Sequence, residues 1–262
     1  MRFSTLPKFV TFVLTLFFAV ALVAPLPFAI ITPGHAINVF DGLIKESKSS
    51  GSKIEFNKAD GKLLLLTILV TNPDSYISGG QVIYSWLHAD NVVLPKSAIY
   101  TPGLSSKAEE VKSNKEMVDS QLNAKLAALT YLAKTFPDRG FNTIKSSDIS
   151  ISLKDTGGPS AGTAFALALV ELLTKENYLH GANVAVTGTI NSKGEVGAIG
   201  GVNEKLISAK KAGAKLLIIP RTNCVDLDTN PGDIRIAAVS TLTQALAALD
   251  SKDPKGCDSV GA

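Results

Sequence analysis

Two residues of this 262-residue chain, Ser160 and Lys205, have the types and settings that suit hydrolytic chemistry. Ser160 lies in Thr156-Gly157-Gly158-Pro159-Ser160-Ala161-Gly162, between a strand-like run and a long apolar helix. Lys205 lies in Gly200-Gly201-Val202-Asn203-Glu204-Lys205, at the start of another helix. A serine hydroxyl is a weak nucleophile until a base removes its proton, and a desolvated lysine with a lowered pKa can do that. Histidine is the commoner base, but His35, His88 and His180 stand in no motif that reads as catalytic.

The loop around Ser160 is built for close approach. Gly157 and Gly158 permit positive φ, Pro159 fixes one turn of the chain, and Ser160 falls at or near a helix N-terminus. Free N–H groups and the positive end of the helix dipole there can stabilise an oxyanion. The loop alone leaves three readings open: a nucleophile, a plain N-cap, or a phosphate cradle. The last is weakened because Gly158–Thr163 has no lysine at the phosphate-reaching position. On a wheel of about 100° per residue, Val202, Leu206 and Ala209 share one face. Lys205 projects between Ala209 and Ala212 toward that side, while Glu204, Ser208 and Lys211 point elsewhere. This setting predicts a lysine pKa below its usual value. Most lysines so placed only snorkel to water, and the coincidence with Ser160 sets this one apart.

The elements that must hold these residues read as follows. Lys62–Thr71 is a leucine-rich buried strand, and Gln81–Leu87 is a second strand or a short helix. Glu116–Phe136 is an amphipathic helix with Val118, Leu122, Leu126, Leu129, Ala133 and Phe136 recurring at helical spacing, ended by Pro137. Asp148–Leu153 is a strand, and Ala161–Leu173 is apolar nearly all round and therefore a buried helix. Val184–Ile190 and Lys215–Ile219 are strands, Val202–Ala212 is a helix stopped by Gly213, and Leu242–Leu249 is the last helix. The pattern indicates an α/β or α+β domain.

Gly158-Pro159-Ser160-Ala161-Gly162, Val186-Thr187-Gly188 and Gly200-Gly201-x-x-Glu204-Lys205, in that order, resemble the proteolytic domain of the Lon protease family. Met117-Val118-Asp119-Ser120 opening an Ala-rich helix and the strand Asp148–Leu153 resemble its order of elements. The resemblance covers about Lys53 to Asp250, most specifically Gly157–Pro220. It implies a Lon-type fold of mixed sheets and packed helices, and a Ser-Lys dyad, Ser160 with Lys205, that hydrolyses peptide bonds. It implies supporting roles for Gly158, Pro159, Ala161 and Thr187, the threonine lying beside the dyad within reach of the lysine. The pattern usually carries an acid where this chain has Gly157. No Walker A motif is present, so no ATP or other cofactor is expected, and no metal. The nearest likeness is to membrane-anchored bacterial Lon-like proteases with a PDZ domain, for which the segment between Phe136 and Asp148 is too short.

Phe9–Ile31 is an uncharged, largely apolar run of 23 residues after Arg2 and Lys8. A span needs about 20 residues, and the basic flank would keep the N-terminus cytoplasmic and the rest outside. The run is read as one N-terminal transmembrane helix, in preference to a signal peptide cut near Gly34-His35-Ala36. Cys224 and Cys257 are an even pair in a chain expected to be exported, and read as one disulfide. A net charge of +3 with scattered lysines excludes a nucleic-acid partner. The expected organisation is 1–36 anchor or signal segment, 37–52 linker, 53–250 protease domain and 251–262 tail. The expected function is an ATP-independent, extracytoplasmic serine endopeptidase acting on peptides or unfolded proteins, with homo-oligomerisation open. The alternative is a catalytically silent Lon-like peptide-binding or scaffold domain.

Overall fold

The computed structural model describes residues 7–48, 54–153, 156–228 and 230–257. Arg2 of the basic flank and Lys53, where the resemblance begins, lie outside the described residues. In chain order the elements are α1 (Lys8–Val23), β1 (Phe28–Asn38), β2 (Ile44–Glu46), β3 (Lys62–Val70), α2 (Gly79–Trp86), β4 (Val92–Pro95), α3 (Ser106–Thr135) and β5 (Ile149–Ile151). There follow α4 (Gly162–Leu173), β6 (Asn183–Val186), β7 (Thr189–Ile190), β8 (Val196–Gly197), α5 (Val202–Lys211), β9 (Leu216–Pro220), β10 (Arg235–Val239) and α6 (Leu242–Asp250). The fold is mixed α/β. The chain divides into two units, Met1–Thr32 with Leu69–Glu109, and Pro33–Ile68 with Glu110–Ala262. These units do not follow the expected boundaries at 36 and 52.

The larger unit is organised by a sheet in the order β10-β9-β6-β3, parallel throughout, with β1 beyond β3. Its strands are buried on both faces, and alternation along them sorts side chains into two cores. Leu63, Leu65, Val186 and Ile218 pack on one face with α3, α4 and α6, while Leu64, Leu66, Ala185 and Leu217 pack on the other with α5. Helices α4 and α5 therefore approach the sheet from opposite sides. Segment 37–46 is not a linker here: Val39 and Ile44 are core residues, and β2 pairs antiparallel with β5.

The expected membrane-spanning helix over Phe9–Ile31 is corrected. Helix α1 stops at Val23, Ala24 is extended with ψ 140°, and Phe28–Asn38 is a strand. Pro25 and Pro27 supply no amide hydrogen for a helix and push the residues before them into extended backbone. Ile30 and Ile31 then pair antiparallel with Val93 and Val92 of β4 in the smaller unit. Among the described residues no helix is long and apolar enough to cross a membrane. Gly34-His35-Ala36 lies inside β1, where His35 N–H donates to Thr67 Oγ1 at 2.8 Å, so a cut there would sever a sheet strand.

One open reading is settled and another changes. Of the two alternatives for Gln81–Leu87 the helix holds, as α2 with Leu87 its C-cap, started by a capping box in which Ser78 and Gln81 exchange side chain-to-backbone hydrogen bonds. Helix α3 begins ten residues earlier than the periodicity suggests, and only the second half of the expected face is inside: Leu129 is buried and Ala133 and Phe136 pack partly against the core. Met117, Ser120, Ala124, Ala127, Ala128 and Leu132 are inside too, whereas Val118 is 62% exposed and Leu122 and Leu126 also face out. Small side chains let α3 lie close to α4 and the loop before it, which bulky Val and Leu would hold off.

Candidate active site

The site forms at the carboxyl end of β6, where the chain leaves the sheet through Thr187 and Gly188. Such strand ends, outside a parallel sheet, are where side chains from neighbouring helices converge. Lys205 comes from α5 on one face, and the Ser160 loop comes from the start of α4 on the other.

Lys205 is 2% exposed, one of the largest fully buried side chains of the chain. Burial in apolar surroundings lowers its pKa to about 7, and the neighbouring Glu204 carboxylate offsets part of that shift. Nζ donates to Thr187 Oγ1 at 3.1 Å. Thr187 is wholly buried, and its hydroxyl makes a loose 3.4 Å bond to the Ser160 carbonyl oxygen. That same carbonyl accepts the Gly188 N–H at 2.9 Å. The Val186-Thr187-Gly188 segment thus ties the lysine head to the backbone of Ser160. The wheel reading of α5 holds for Lys205 and fails for its neighbours, since Glu204 and Ser208 are also buried. The Ser208 hydroxyl is satisfied by the Gly34 and Glu204 carbonyls. Burial raises the Glu204 pKa.

Ser160 is half-buried, with its side chain free of hydrogen bonds among the described residues. The N-cap of α4 is Ala161, with no side-chain cap, so the plain N-cap reading does not apply to Ser160. The first helical amides are already used: Gly162 N–H donates to Pro159 O at 3.2 Å and Thr163 N–H to Gly188 O at 3.0 Å. The N–H groups of Ser160 and Ala161 have no acceptor among the described residues and are the available donors for an oxyanion. Gly158 takes φ +81°, which a side chain would strain.

Helix α3 supplies a support that the residue pattern did not reveal. Gly158 N–H donates to Ser113 O at 2.9 Å, and the buried Ser120 hydroxyl donates to Pro159 O at 2.9 Å. A Cβ built at Gly157 would overlap the Ser113 side chain. This explains the missing acid: α3 occupies the space its side chain would need. The serine in Met117-Val118-Asp119-Ser120 was the available signal, noted as a helix opening and not as a clamp on the loop. Pro159 and Ala161 flank Ser160 as expected, Ala161 buried against the core.

Cys224 and Cys257 are disulfide-bonded, with Cα atoms 5.3 Å apart. Ala238 N–H in β10 donates to Lys255 O at 2.9 Å, so the C-terminal segment lies along the sheet edge.

Sequence comparison agrees with this architecture. Residues 108–249 match the Lon protease (S16) C-terminal proteolytic domain, and the chain belongs to that family. It is 30% identical over 167 residues to the Lon protease of Neorickettsia sennetsu, covering 60% of this chain and 20% of that protein. It is 34% identical over 142 residues to the Lon protease of Vibrio parahaemolyticus, covering 50% and 18%. Lon protease 1 of Herpetosiphon aurantiacus is 48% identical over 77 residues, 29% of this chain and 9% of that protein. The chain spans about a fifth or less of the length of these relatives.

Proposed function

We propose that this chain is an ATP-independent serine endopeptidase in which Ser160 is the nucleophile and Lys205 its base. The observation that carries the reading is a buried lysine, its pKa lowered to about 7, held by Thr187 at the backbone of Ser160. A neutral Lys205 amine accepts the Ser160 proton as Oγ attacks the scissile carbonyl. The free N–H groups of Ser160 and Ala161 receive the developing oxyanion. The lysine ammonium then gives its proton to the leaving amine, and water activated by the same amine releases the acyl group. In the free enzyme Nζ rests on Thr187, and the Ser160 contact closes as substrate fills the site.

The substrate class is a peptide or an unfolded protein. We place the action outside the cytoplasm, supported by the bonded pair Cys224 and Cys257, which such a compartment keeps oxidised. The test treats the purified full chain with a serine-reactive phosphonate probe and with unfolded protein substrates, beside Ser160→Ala. Labelling confined to Ser160, with cleavage lost in the variant, is the expected result. Cleavage that persists in a folded Ser160→Ala sample overturns the assignment.

A further inference from the structure

The smaller unit carries a feature that peptide hydrolysis does not use. Helix α1 has no buried residue, and its large apolar side chains project all round the axis: Phe9, Val10, Phe12, Leu14, Phe17 and Phe18 are all exposed. No charged side chain occurs between Phe9 and Val23. The two hydroxyls on this stretch turn inward on their own helix, Thr15 to Thr11 O at 2.9 Å and Thr11 to Pro7 O at 3.4 Å. Side chains that satisfy themselves in this way suit a medium that offers no hydrogen bonds. A protein groove covers one face of a helix, whereas this helix needs an apolar medium on every side.

A second element stands beside the end of α1. Gly79 of α2 lies against the Ala21 carbonyl so closely that a Cβ there would overlap it, and Leu26 N–H donates to Ile77 O at 2.8 Å. From that contact α2 runs eight residues, about 12 Å. It exposes Ile83, Tyr84, Trp86 and Leu87, with Tyr76 just before it, and none of Gly79–Leu87 is charged. Tyrosine and tryptophan with an apolar body and a polar edge are the residues that settle at headgroup level.

We propose that α1 and α2 form a lipid-docking element: the acyl layer surrounds α1, and Tyr76, Tyr84, Trp86 and Leu87 make a collar in the headgroup region where α1 ends. At 16 residues, about 24 Å, α1 is shorter than a hydrocarbon layer of about 30 Å, and Lys8 at its first position has a stem long enough to carry its charge toward the headgroups. The collar sets the depth of α1 in the layer. The proposal requires only a bilayer, and it is independent of the dyad.

Trp86 is the chain's single tryptophan, so its fluorescence reports the collar directly. The full chain is mixed with phosphatidylcholine–phosphatidylglycerol vesicles carrying bromine either near the headgroup or deep in the acyl chain. Flotation with the vesicles, a blue shift, and stronger quenching by the shallow bromine are expected. Ile83→Ser with Leu87→Ser should weaken vesicle binding about tenfold or more, from the lost apolar burial. Flotation with Trp86 unshifted and unquenched overturns the collar while leaving a membrane address for α1. Absence of flotation overturns both. A Trp86 already blue-shifted without lipid, in a chain that self-associates with concentration, assigns the face to a second copy and also overturns the proposal. Should the double variant misfold, the quenching of the unaltered chain still decides.

Discussion

The starts of α4 and α5 are both glycine-rich turns leading into buried helices, yet they prepare their functional side chains in opposite ways. At α4 the chain leaves Ser160 half-buried, outside the helix, with free N–H groups beside it. At α5 it places Lys205 one turn inside, 2% exposed, with its Nζ donating to Thr187 Oγ1. A nucleophile must be reached by substrate, whereas a lysine becomes a base at neutral pH only by being kept from water. The segment after β6 joins the two, contributing Gly188 N–H to one and Thr187 Oγ1 to the other.

The most severe way to break this pairing is to remove either member. Ser160→Ala and Lys205→Ala are each expected to lower kcat/KM on the order of a thousandfold or more, and the double variant little further, because the two act as a unit. Lys205→Arg should fail equally, since guanidinium stays protonated. Peptide-cleavage kinetics on samples of verified fold check this.

Next in size is the loop. Gly157→Asp returns an acid at the price of driving its Cβ into Ser113, and a misplaced nucleophile costs on the order of a hundredfold. Ser120→Ala leaves the Pro159 carbonyl short of one donor. Losing a bond of about 1–1.5 kcal/mol should lower kcat about tenfold with KM little changed. A fall in KM-linked binding alone, with kcat intact, would argue that α3 does not position the nucleophile.

Lys205→Met sharpens the other side of the comparison. The folded pKa of about 7 lies below the ordinary 10.5, so between these values the unfolded chain binds a proton that the folded chain does not. Wild-type stability therefore falls as pH drops through this window and stays low beneath it. The methionine variant should match wild type above about pH 10 and gain on the order of a few kcal/mol near pH 7 and below. Urea unfolding at several pH values measures it.

The smallest expected effect is electrostatic. Glu204→Gln removes the carboxylate that favours the charged lysine, so the Lys205 pKa moves further down. The rising limb of the pH–activity curve, expected near pH 7 in the wild type from the Lys205 pKa of about 7, should shift toward lower pH by a fraction of a unit. A shift to higher pH would mean that Glu204 does not act on Lys205 through charge.

Much of the fold was legible from local pattern. The apolar all-round helix at Leu167 and the leucine run at Leu63–Leu66 declare themselves because a sheet buried on both faces and the helices packed on it need continuous apolar residues. Val184–Ile190 reads as one strand but is two, broken at Gly188, because the local pattern carries no record of the Ser160 carbonyl that captures its N–H. Strand β10 has no counterpart in the sequence reading, because the five residues Arg235–Val239 are too short to set a period and are fixed as a strand by pairing with β9. In α3 two apolar stripes compete, and the choice of the alanine stripe is made by the helix it packs against.

The chain by itself determines which residues carry reactive groups, where glycines free the backbone, and where prolines stop the N-terminal helix, because these follow from covalent structure and local sterics. Tertiary structure decided that Lys205 is dry, that Thr187 holds it at Ser160, and that α3 excludes an acid from position 157. Each of these depends on distances between segments far apart in the chain, and dehydration and steric exclusion exist only once those segments have packed together.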